Sequence, residues 1–308
     1  MKLNNTTIGV INISLAYTLW GLGPLFYKFL EHLPTFEIVS FRVVWSLFFL
    51  LVIILMSKKI NTIKSIIYNK ENIKFLSITS ILIFVNWFTY IWAIKNNHVL
   101  DASLGYFINP IFFIFLSMFF LKERLNKFQI IAVTTVILAV LYQVLKLGSV
   151  PWVAIILTVS FGFYALLKKQ STIDSQAGLL FENILLFPLT FGYLLFVDSQ
   201  PSATMIHNSI ILNVFIVLSG VMTTLPLIFF NRATTKLNLS TIGFFQYINP
   251  TISFFTGIFL FHESFNYDQF ITFSLIWAAL AVISFDSIWR LRKAHQLMSV
   301  SCKPCNQQ

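Results

Sequence analysis

Long apolar segments separated by short polar loops follow one another along almost the whole chain. A helix that crosses the hydrocarbon core of a membrane needs about 20 mostly apolar residues, and ten segments come close to that length. The strict alternation of apolar and polar residues that indicates a barrel is absent, so helices are expected to satisfy the backbone in lipid. The predicted spans are 8–30, 36–56, 74–95, 100–121, 128–146, 150–167, 178–197, 209–230, 240–262 and 269–289.

The chain contains two diverged copies of one sequence, 140 positions apart. The tripeptide Ile-Asn-Pro occurs at 108–110 and again at 248–250, and the same offset places Glu123 on Glu263. Each copy holds five predicted spans, an odd number, so the second copy must enter the membrane upside down. The pattern predicts an all-α membrane protein with ten transmembrane helices in two inverted five-helix repeats. We expect the first repeat at 1–147, the second at 148–289, and a disordered cytoplasmic tail at 290–308.

Composition excludes a water-soluble protein and explains the basic charge. Only 10% of the residues are charged and 57% are hydrophobic, too few charges to cover a soluble surface. The net charge of +10 comes from Lys and Arg in short loops, which indicates membrane orientation rather than a nucleic-acid partner. If both termini are cytoplasmic, 17 of the 21 basic residues face the cytoplasm. We therefore expect membrane lipid as a partner, no nucleic acid, and a first apolar run that is a retained span rather than a signal peptide.

The longest predicted loop, 57–73, carries three isoleucines at helical spacing among lysines: Ile60, Ile63 and Ile67. A short helix lying on the inner membrane surface would give this pattern. A solvated connector would also be compatible with it.

Each copy places a proline and an asparagine at the centre of a predicted span. A proline removes an amide donor and frees the carbonyl four residues earlier. Inverted-repeat transporters usually bind their substrate near the midplane, where interrupted helices expose polar backbone. The prolines therefore predict a helix break in each copy, located at a binding site or a hinge. The alternative is a purely structural kink in each of the two helices. The candidate residues are Tyr106, Asn109 and Pro110 in the first copy, and Gln246, Tyr247, Asn249 and Pro250 in the second.

Two ionisable side chains lie inside predicted spans at equivalent positions of the copies, since Arg42 and Glu182 are 140 residues apart. Charged groups within a span are costly and are functional by default. Arg42 is predicted nearer the outer side and Glu182 nearer the inner side, and Glu37 is the closer candidate partner of Arg42. Arg42 and Glu182 are predicted to form a gate, to act as counter-ions to the substrate or to carry protons. The alternative is a structural role, in which each side chain extends toward the membrane interface.

Tryptophans and one amide complete the candidate site. Trp20, Trp45 and Trp87 fall within predicted spans, where they could stack on a substrate or simply pack against lipid and other helices. Asn86 lies beside Trp87 at mid-depth, and a lone amide in hydrocarbon needs a hydrogen-bond partner.

These residues carry a resemblance to a known family. The matching strings are Trp20-Gly21, Trp45-Ser46 after Glu37 and Arg42, Asn86-Trp87, the run 102–110, the run 239–247, and Pro250-Thr251. The chain resembles the RarD branch of the EamA family, in the drug/metabolite transporter superfamily, over about residues 8–290. The resemblance implies a ten-helix permease of the bacterial cytoplasmic (inner) membrane, in a branch linked to chloramphenicol sensitivity or resistance.

The expected function is that of a secondary transporter, a permease that exports small organic metabolites or drugs by alternating access. The five histidines have no metal-ligand spacing, and Cys302 and Cys305 supply only two of the four ligands of a structural zinc. The sequence also has no phosphate-binding glycine loop and no nucleophile constellation, so no metal, cofactor or enzymatic activity is expected. The alternative is an intramembrane enzyme acting on a lipid-linked substrate, which would need clustered acids or histidines. A receptor or scaffold is a third class, which normally has a sizeable soluble domain.

Overall fold

The computed structural model describes residues 4–96, 99–147, 152–196, 205, 208–260, 267–268, 270–282 and 285, and these residues form helices joined by short connections. The helices are α1 (Asn5–Gly21), α2 (Gly23–Tyr27), α3 (Thr35–Met56), α4 (Ile60–Ile67), α5 (Lys70–Lys95), α6 (Val99–Phe120), α7 (Lys127–Leu147), α8 (Trp152–Gln170), α9 (Ser175–Phe196), α10 (Ile210–Thr234), α11 (Leu239–Phe245), α12 (Ile248–Leu260) and α13 (Phe270–Val282). The predicted tail 290–308 lies outside the described residues.

Seven helical stretches in the described part of the chain are long and apolar enough to cross a membrane. They are Asn5–Leu30, Thr35–Met56, Lys70–Ala93, Lys127–Lys146, Trp152–Gln170, Ser175–Phe196 and Ile210–Thr234. Each corresponds to one predicted span. Of the other three predictions, 100–121 is α6, 240–262 is divided between α11 and α12, and 269–289 begins as α13. Large apolar side chains such as Met56, Phe196 and Ile210 are more than three-quarters exposed on these helices, as contact with lipid requires.

The helix bounds repeat with the 140-residue offset. α3 occupies residues 35–56 and α9 occupies 175–196, so both bounds differ by 140. α6 occupies 99–120, and α11 and α12 together occupy 239–260, with the same difference at both ends. The sequence repeat is therefore also a repeat of secondary structure.

The helices form two compact units, and each unit contains segments from both sequence copies. The first comprises Met1–Glu123 and Val150–Ser264, and the second comprises Arg124–Ser149 and Phe265–Gln308. In the first unit α3 packs on α9 and α10, α1 on α10, α5 on α8, and α6 on α8 and α11. Its core includes the fully buried rings of Tyr17, Phe113, Tyr164, Phe230 and Tyr247. In the second unit, the Tyr142 hydroxyl in α7 donates to the Asp268 carboxylate.

The helix predicted as one alternative for the 57–73 loop is present as α4. Ile66 is almost fully buried and Ile63 packs against the same core, while Ile60 and Ile67 are about half exposed. α4 contacts α5 and α9. The buried face is therefore centred on Ile63 and Ile66 rather than on the predicted row of Ile60, Ile63 and Ile67.

α3 and α10 approach each other closely at Gly220. A Cβ atom added to Gly220 would lie 2.4 Å from the carbonyl carbon of Trp45 and 2.6 Å from the backbone nitrogen of Ser46. The Ser46 hydroxyl donates to the Gly220 carbonyl at 3.1 Å. Small residues allow such close crossings between membrane helices.

The substitution Gly220→Ala is expected to separate α3 from α10 and to cost about 1–3 kcal/mol of stability, because both clashing atoms belong to rigid backbone. Gly192→Ala is the matched control, since a Cβ atom added there meets nothing within 4 Å. The melting temperatures of the purified proteins in detergent should fall for Gly220→Ala only. Equal melting temperatures for the two variants would contradict the close crossing.

An ion pair fixes the start of α9. Lys59 Nζ donates to Asp174 Oδ2 at 2.7 Å, and Asp174 Oδ1 accepts from the backbone nitrogens of Gln176 at 3.1 Å and Ala177 at 3.2 Å. Burial alone would raise the pKa of Asp174, but the hydrogen bond from Lys59, the backbone donors and the lysine charge together lower this pKa below its ordinary value of 3.8. The ionised carboxylate is therefore favoured by folding.

Replacing Asp174 with Asn keeps a capping oxygen but removes the charge, which is expected to cost about 0.5–1 kcal/mol for this half-exposed pair at neutral pH. A lowered folded-state pKa contributes stability that is present above pH 3.8 and is lost as the pH falls through the folded-state value. The melting-temperature gap between wild type and Asp174→Asn should thus be present at pH 7 and smaller at pH 3. Glu71→Gln, a loss of the same charge at an exposed residue of α5, serves as control. A gap that is the same at both pH values would exclude the ion pair as its cause.

Candidate functional site

A cavity of about 780 Å³, its opening included, lies within the first unit. Among the described lining residues, Arg42 is the only one with a formal charge, and most of the others are aromatic or carry a side-chain amide. Eight of the predicted site residues line this cavity: Trp20, Arg42, Asn86, Trp87, Tyr106, Asn109, Gln246 and Asn249.

Arg42 is held in α3 by one hydrogen bond and two aromatic rings. Its side chain is 5% exposed, and its Nε donates to the Thr223 hydroxyl of α10 at 2.8 Å. The guanidinium carbon lies 4.9 Å from the centre of the Trp87 ring and 5.1 Å from that of Tyr27. Cation–π contacts of this kind stabilise a partly desolvated arginine without neutralising it.

The predicted pairing of Arg42 with Glu37 is not present. The partners of Arg42 in the described part of the chain are Thr223, Tyr27 and Trp87, and none of them is acidic. Glu37 is fully buried in α3 and interacts electrostatically with Tyr193 of α9. The terminal nitrogens of Arg42, Nη1 and Nη2, therefore have no protein acceptor among the described residues.

The asparagines of the two Ile-Asn-Pro copies line the same cavity, together with Gln246. Asn109 and Gln246 are almost fully buried, and neither Asn109 Oδ1 nor Gln246 Oε1 has a hydrogen-bond partner among the described residues. The hydroxyl of Tyr17, which also lines the cavity, is likewise unpartnered there. Buried polar atoms without partners are costly and call for a water or a ligand.

The prolines behave differently in the two copies. α6 continues through Pro110, whereas α11 ends at Phe245 and α12 begins at Ile248, so the predicted interruption is present only in the second copy. Pro250 lies in the first turn of α12, where a missing amide is tolerated. The Gln246 carbonyl, which this proline was expected to free, accepts a hydrogen bond from the Asn249 nitrogen at 3.0 Å.

Tyr247 joins the two copies directly instead of lining the cavity. Its hydroxyl donates at 3.2 Å to the carbonyl of Phe107, the residue 140 positions earlier. Nearby, a Cβ atom added to Gly243 would lie 2.9 Å from the Pro110 carbonyl oxygen. α6 and α11 therefore pack closely against each other, and none of Tyr247, Pro110 and Pro250 is among the described lining residues.

Asn86 finds the partner that the sequence argument required. Its Nδ2 donates to the Leu157 carbonyl at 3.0 Å and to the Ser160 hydroxyl at 3.2 Å, which ties α5 to α8. Trp20 lines the cavity with its ring 5.7 Å from Phe161, whereas Trp45 packs against Phe48 away from the cavity.

Glu182 lies outside the cavity, in a buried network that the sequence did not reveal. Lys168 Nζ is 2.5 Å from Glu182 Oε1, and the two side chains are 6% and 2% exposed. The Thr79 hydroxyl also donates to Oε1, and the Tyr164 hydroxyl lies 3.5 Å from Oε2 and accepts from Asn231 Nδ2 at 3.3 Å. The charge of Glu182 is thus neutralised inside the protein, unlike that of Arg42.

Sequence reasoning also missed several aromatic residues of the cavity, namely Tyr17, Tyr27, Tyr90 and Phe161. Two of them could have been found by helical spacing. Tyr90 is four residues after Asn86 and three after Trp87, and Tyr17 is three residues before Trp20, so each lies on the same side of its helix as a residue already selected.

Comparisons with known proteins agree with this architecture. A family model described as the EamA-like transporter family matches residues 7–145, nearly the extent of the first predicted repeat. Protein RarD of Salmonella typhimurium (strain LT2) is 39% identical over 293 residues, which cover 95% of this chain and 100% of that protein. An uncharacterized transporter of Vibrio cholerae serotype O1 is 41% identical over 280 residues, covering 91% and 93% of the two chains. A chloramphenicol-sensitive protein RarD of Pseudomonas aeruginosa is 24% identical over 289 residues, covering 92% and 96%.

One solved structure, described only as a crystal structure of protein, supports the fold. It superposes with a TM-score of 0.67 at 17% sequence identity, covering 90% of this chain and 96% of that one. Because relatives at about 40% identity align over almost the entire chain, and because several helices are apolar enough to cross a membrane, the resemblance found in the sequence is confirmed. The chain belongs to the EamA-like transporter family, as a multi-pass inner-membrane protein related to the RarD proteins.

Proposed function

We propose that this protein is a secondary transporter that moves small organic metabolites or drugs across the inner membrane by alternating access, with export as the expected direction. The observation that carries the proposal is that Asn109 and Asn249, equivalent residues of the two copies, line one cavity. Inverted-repeat transporters place their substrate at such a seam between repeats. The name of the Pseudomonas relative makes chloramphenicol one compound to test.

The contacts between helices support a two-fold relation between the five-helix repeats 1–147 and 148–289, which we propose to be inverted because each holds an odd number of spans. Under the 140-residue offset α3 corresponds to α9, α5 to α10, and α6 to α11 with α12, while α8 corresponds to 12–30 at the end of the first span. Exchanging the copies converts the contact of α3 with α10 into that of α9 with α5, and both exist. In the same way, the contact of α1 with α10 becomes the contact of α8 with α5, and the structure has both. The contact of α6 with α8 becomes the contact of α12 with α1, and both of these are also present. A two-fold relation between the copies accounts for these pairs.

The basic residues set the orientation that we propose, with both termini in the cytoplasm. Lys59, Lys168 and Lys169 lie at the ends of helices that meet near Asp174 and Leu237. Positively charged loops remain on the cytoplasmic side of bacterial membranes. This lysine-rich end of the first unit is therefore assigned to the cytoplasm.

We further propose that the contacts at the lysine-rich end form a closed cytoplasmic gate. The Glu123 carboxylate, just beyond α6, accepts from the backbone nitrogens of Leu239 at 2.9 Å and Ser240 at 3.1 Å and from the Ser240 hydroxyl at 2.7 Å. Lys169 Nζ donates to the Leu237 carbonyl at 2.6 Å. These bonds tie the first copy and α8 to the N-terminal end of α11, so opening toward the cytoplasm must break them.

Transport itself is tested with protein in liposomes. Compounds whose levels differ between cells that lack and cells that overproduce the protein, together with chloramphenicol, are offered as labelled substrates. Arg42→Ala is expected to reduce the flux of a transported compound at least about tenfold, since it removes the charged contact of the cavity. Arg232→Ala, at an exposed position of α10, should leave flux unchanged. Normal flux in correctly folded Arg42→Ala protein would refute the assignment of the site.

Inversion of the repeats predicts that equivalent positions lie on opposite faces of the membrane. In a variant whose Cys302 and Cys305 are replaced by Ser, single cysteines are placed at Lys127 and at Tyr267, which differ by 140 residues. A membrane-impermeant thiol reagent should label position 127 in inverted vesicles and position 267 in intact cells. Labelling of both positions from the same face would refute inverted repeats.

The buried pair behind the proposed gate predicts strong coupling. Glu182→Gln leaves the charge of Lys168 buried and unpaired, which is expected to cost about 3–5 kcal/mol, whereas the double variant Glu182→Gln/Lys168→Met should recover a large part of this loss. Melting temperatures of the single and double variants in detergent measure the coupling. A double variant whose loss equals the sum of the single losses would show that the two side chains act independently.

A further inference from the structure

We propose that the substrate is an organic monoanion, a carboxylate that also carries a planar ring and an O–H or N–H donor. This inference rests on the transport function proposed above and specifies the substrate class of the same cavity. Three independent features of the described lining residues lead to this inference. They are one cation without an acidic partner, several aromatic side chains, and buried amide oxygens without a hydrogen-bond donor.

The cation selects a negative charge. Arg42 is the only formally charged residue among the described lining residues, so the cavity wall carries a net positive charge. Its Nε is used by Thr223, which leaves Nη1 and Nη2 for a ligand. An arginine with two free terminal nitrogens binds a carboxylate through paired, charge-assisted hydrogen bonds.

The equivalent position in the second copy shows that this open charge is not a general property of the fold. Glu182, 140 residues after Arg42, is neutralised by Lys168 at 2.5 Å and does not line the cavity. At this equivalent position the charge is thus paired with an opposite charge in the second repeat, whereas in the first repeat the described residues provide no opposite charge for Arg42. A ligand carboxylate would complete at Arg42 the pairing that Lys168 provides at Glu182.

The aromatic side chains select a flat, apolar body. Trp20, Tyr27, Trp87, Tyr90, Tyr106 and Phe161 all line the cavity. Trp87 and Tyr27 also flank the guanidinium of Arg42, at 4.9 and 5.1 Å. A planar ring attached by a short linker to a carboxylate can therefore stack on these aromatic faces while its charge reaches Arg42.

The amide oxygens select a neutral donor rather than a second charge. Asn109 Oδ1 and Gln246 Oε1 are buried in the wall without a donor among the described residues. A ligand hydroxyl or N–H group would satisfy them. A ligand ammonium would find no carboxylate, because none of the described lining residues is acidic.

Three probes with the same ring and different charge test the proposal on purified wild-type protein by isothermal titration calorimetry. They are 4-hydroxyphenylacetate, the neutral 4-hydroxyphenylacetamide and the cation tyramine. The acid should bind roughly tenfold or more tightly than the amide, and the amine should bind most weakly. Phenylacetate, which lacks the O–H donor, should bind about three- to tenfold more weakly than 4-hydroxyphenylacetate.

Variants assign the preference to Arg42. Arg42→Gln should bring the affinities for acid and amide within about threefold of each other. Arg42→Lys should retain a preference for the acid, and Arg232→Gln, which removes an exposed arginine, should leave the wild-type ratio unchanged. Because the three probes are compared first on the unaltered protein, the proposal remains testable even if Arg42→Gln fails to fold.

The proposal is overturned if the amide or the amine binds as tightly as the acid, if none of the probes binds at concentrations up to roughly 10 mM, or if the preference survives in folded Arg42→Gln. The transport proposal fails by a different result. Transport would be refuted if no compound showed flux and positions 127 and 267 were labelled from one face. If the acid were still preferred in the binding measurement, the anion site would be retained. Flux of a neutral compound without any acid preference would refute the anion site alone.

Discussion

Hydrocarbon offers no partner to a polar group, so each polar atom carried into the interior of this chain needs a partner within the protein or in a wet cavity. Helices satisfy the backbone, and many buried serine and threonine hydroxyls donate to a carbonyl one turn back along their own helix, as Thr223 does to the Ser219 carbonyl at 2.8 Å. Glu182 meets the same constraint with Lys168, Thr79 and Tyr164. Among the described residues, Tyr17, Asn109 and Gln246 have a buried polar atom without a protein partner and also line one cavity, which is why we propose that cavity as the functional site.

Duplication explains where the cavity lies, and divergence explains why it is not symmetric. The two asparagines of the repeated tripeptide face the same space, yet only the second copy has a broken helix there. Tyr247 binds the carbonyl of its own equivalent, Phe107, and so fixes the copies to each other at that point. In the proposed transport cycle, this contact would hold the copies together at one point while the rest of each repeat moves around the substrate.

The sequence predicted most of the fold because two signals in it are independent of tertiary packing. Segment hydropathy located the spans, and the 140-residue offset anticipated helix bounds that the structure repeats, as in α3 and α9. Partners were less accessible, since they depend on packing between distant segments: Arg42 bonds to Thr223, 181 residues away. Lys168 was interpreted as a loop residue because a lysine at the end of an apolar run usually reaches solvent, whereas here it is 6% exposed against Glu182. Tyr27 was missed because it lies in α2, beyond the end of α1 at Gly21, so that helical spacing from Trp20 does not place it.

The different environments of Arg42 and Glu182 fit the requirements of the proposed transport site. An internal carboxylate paired with Arg42 would compete with any anionic ligand, and its displacement would oppose binding. Stacking on Trp87 and Tyr27 instead contributes about 0.5–2 kcal/mol per contact and leaves the terminal nitrogens available. These contacts therefore stabilise the buried arginine, but they leave its terminal nitrogens without a hydrogen-bond acceptor among the described residues. In the proposed site a bound carboxylate would supply the remainder and an uncharged competitor of the same shape would not, so this partial compensation would convert the cost of burying a cation into selectivity.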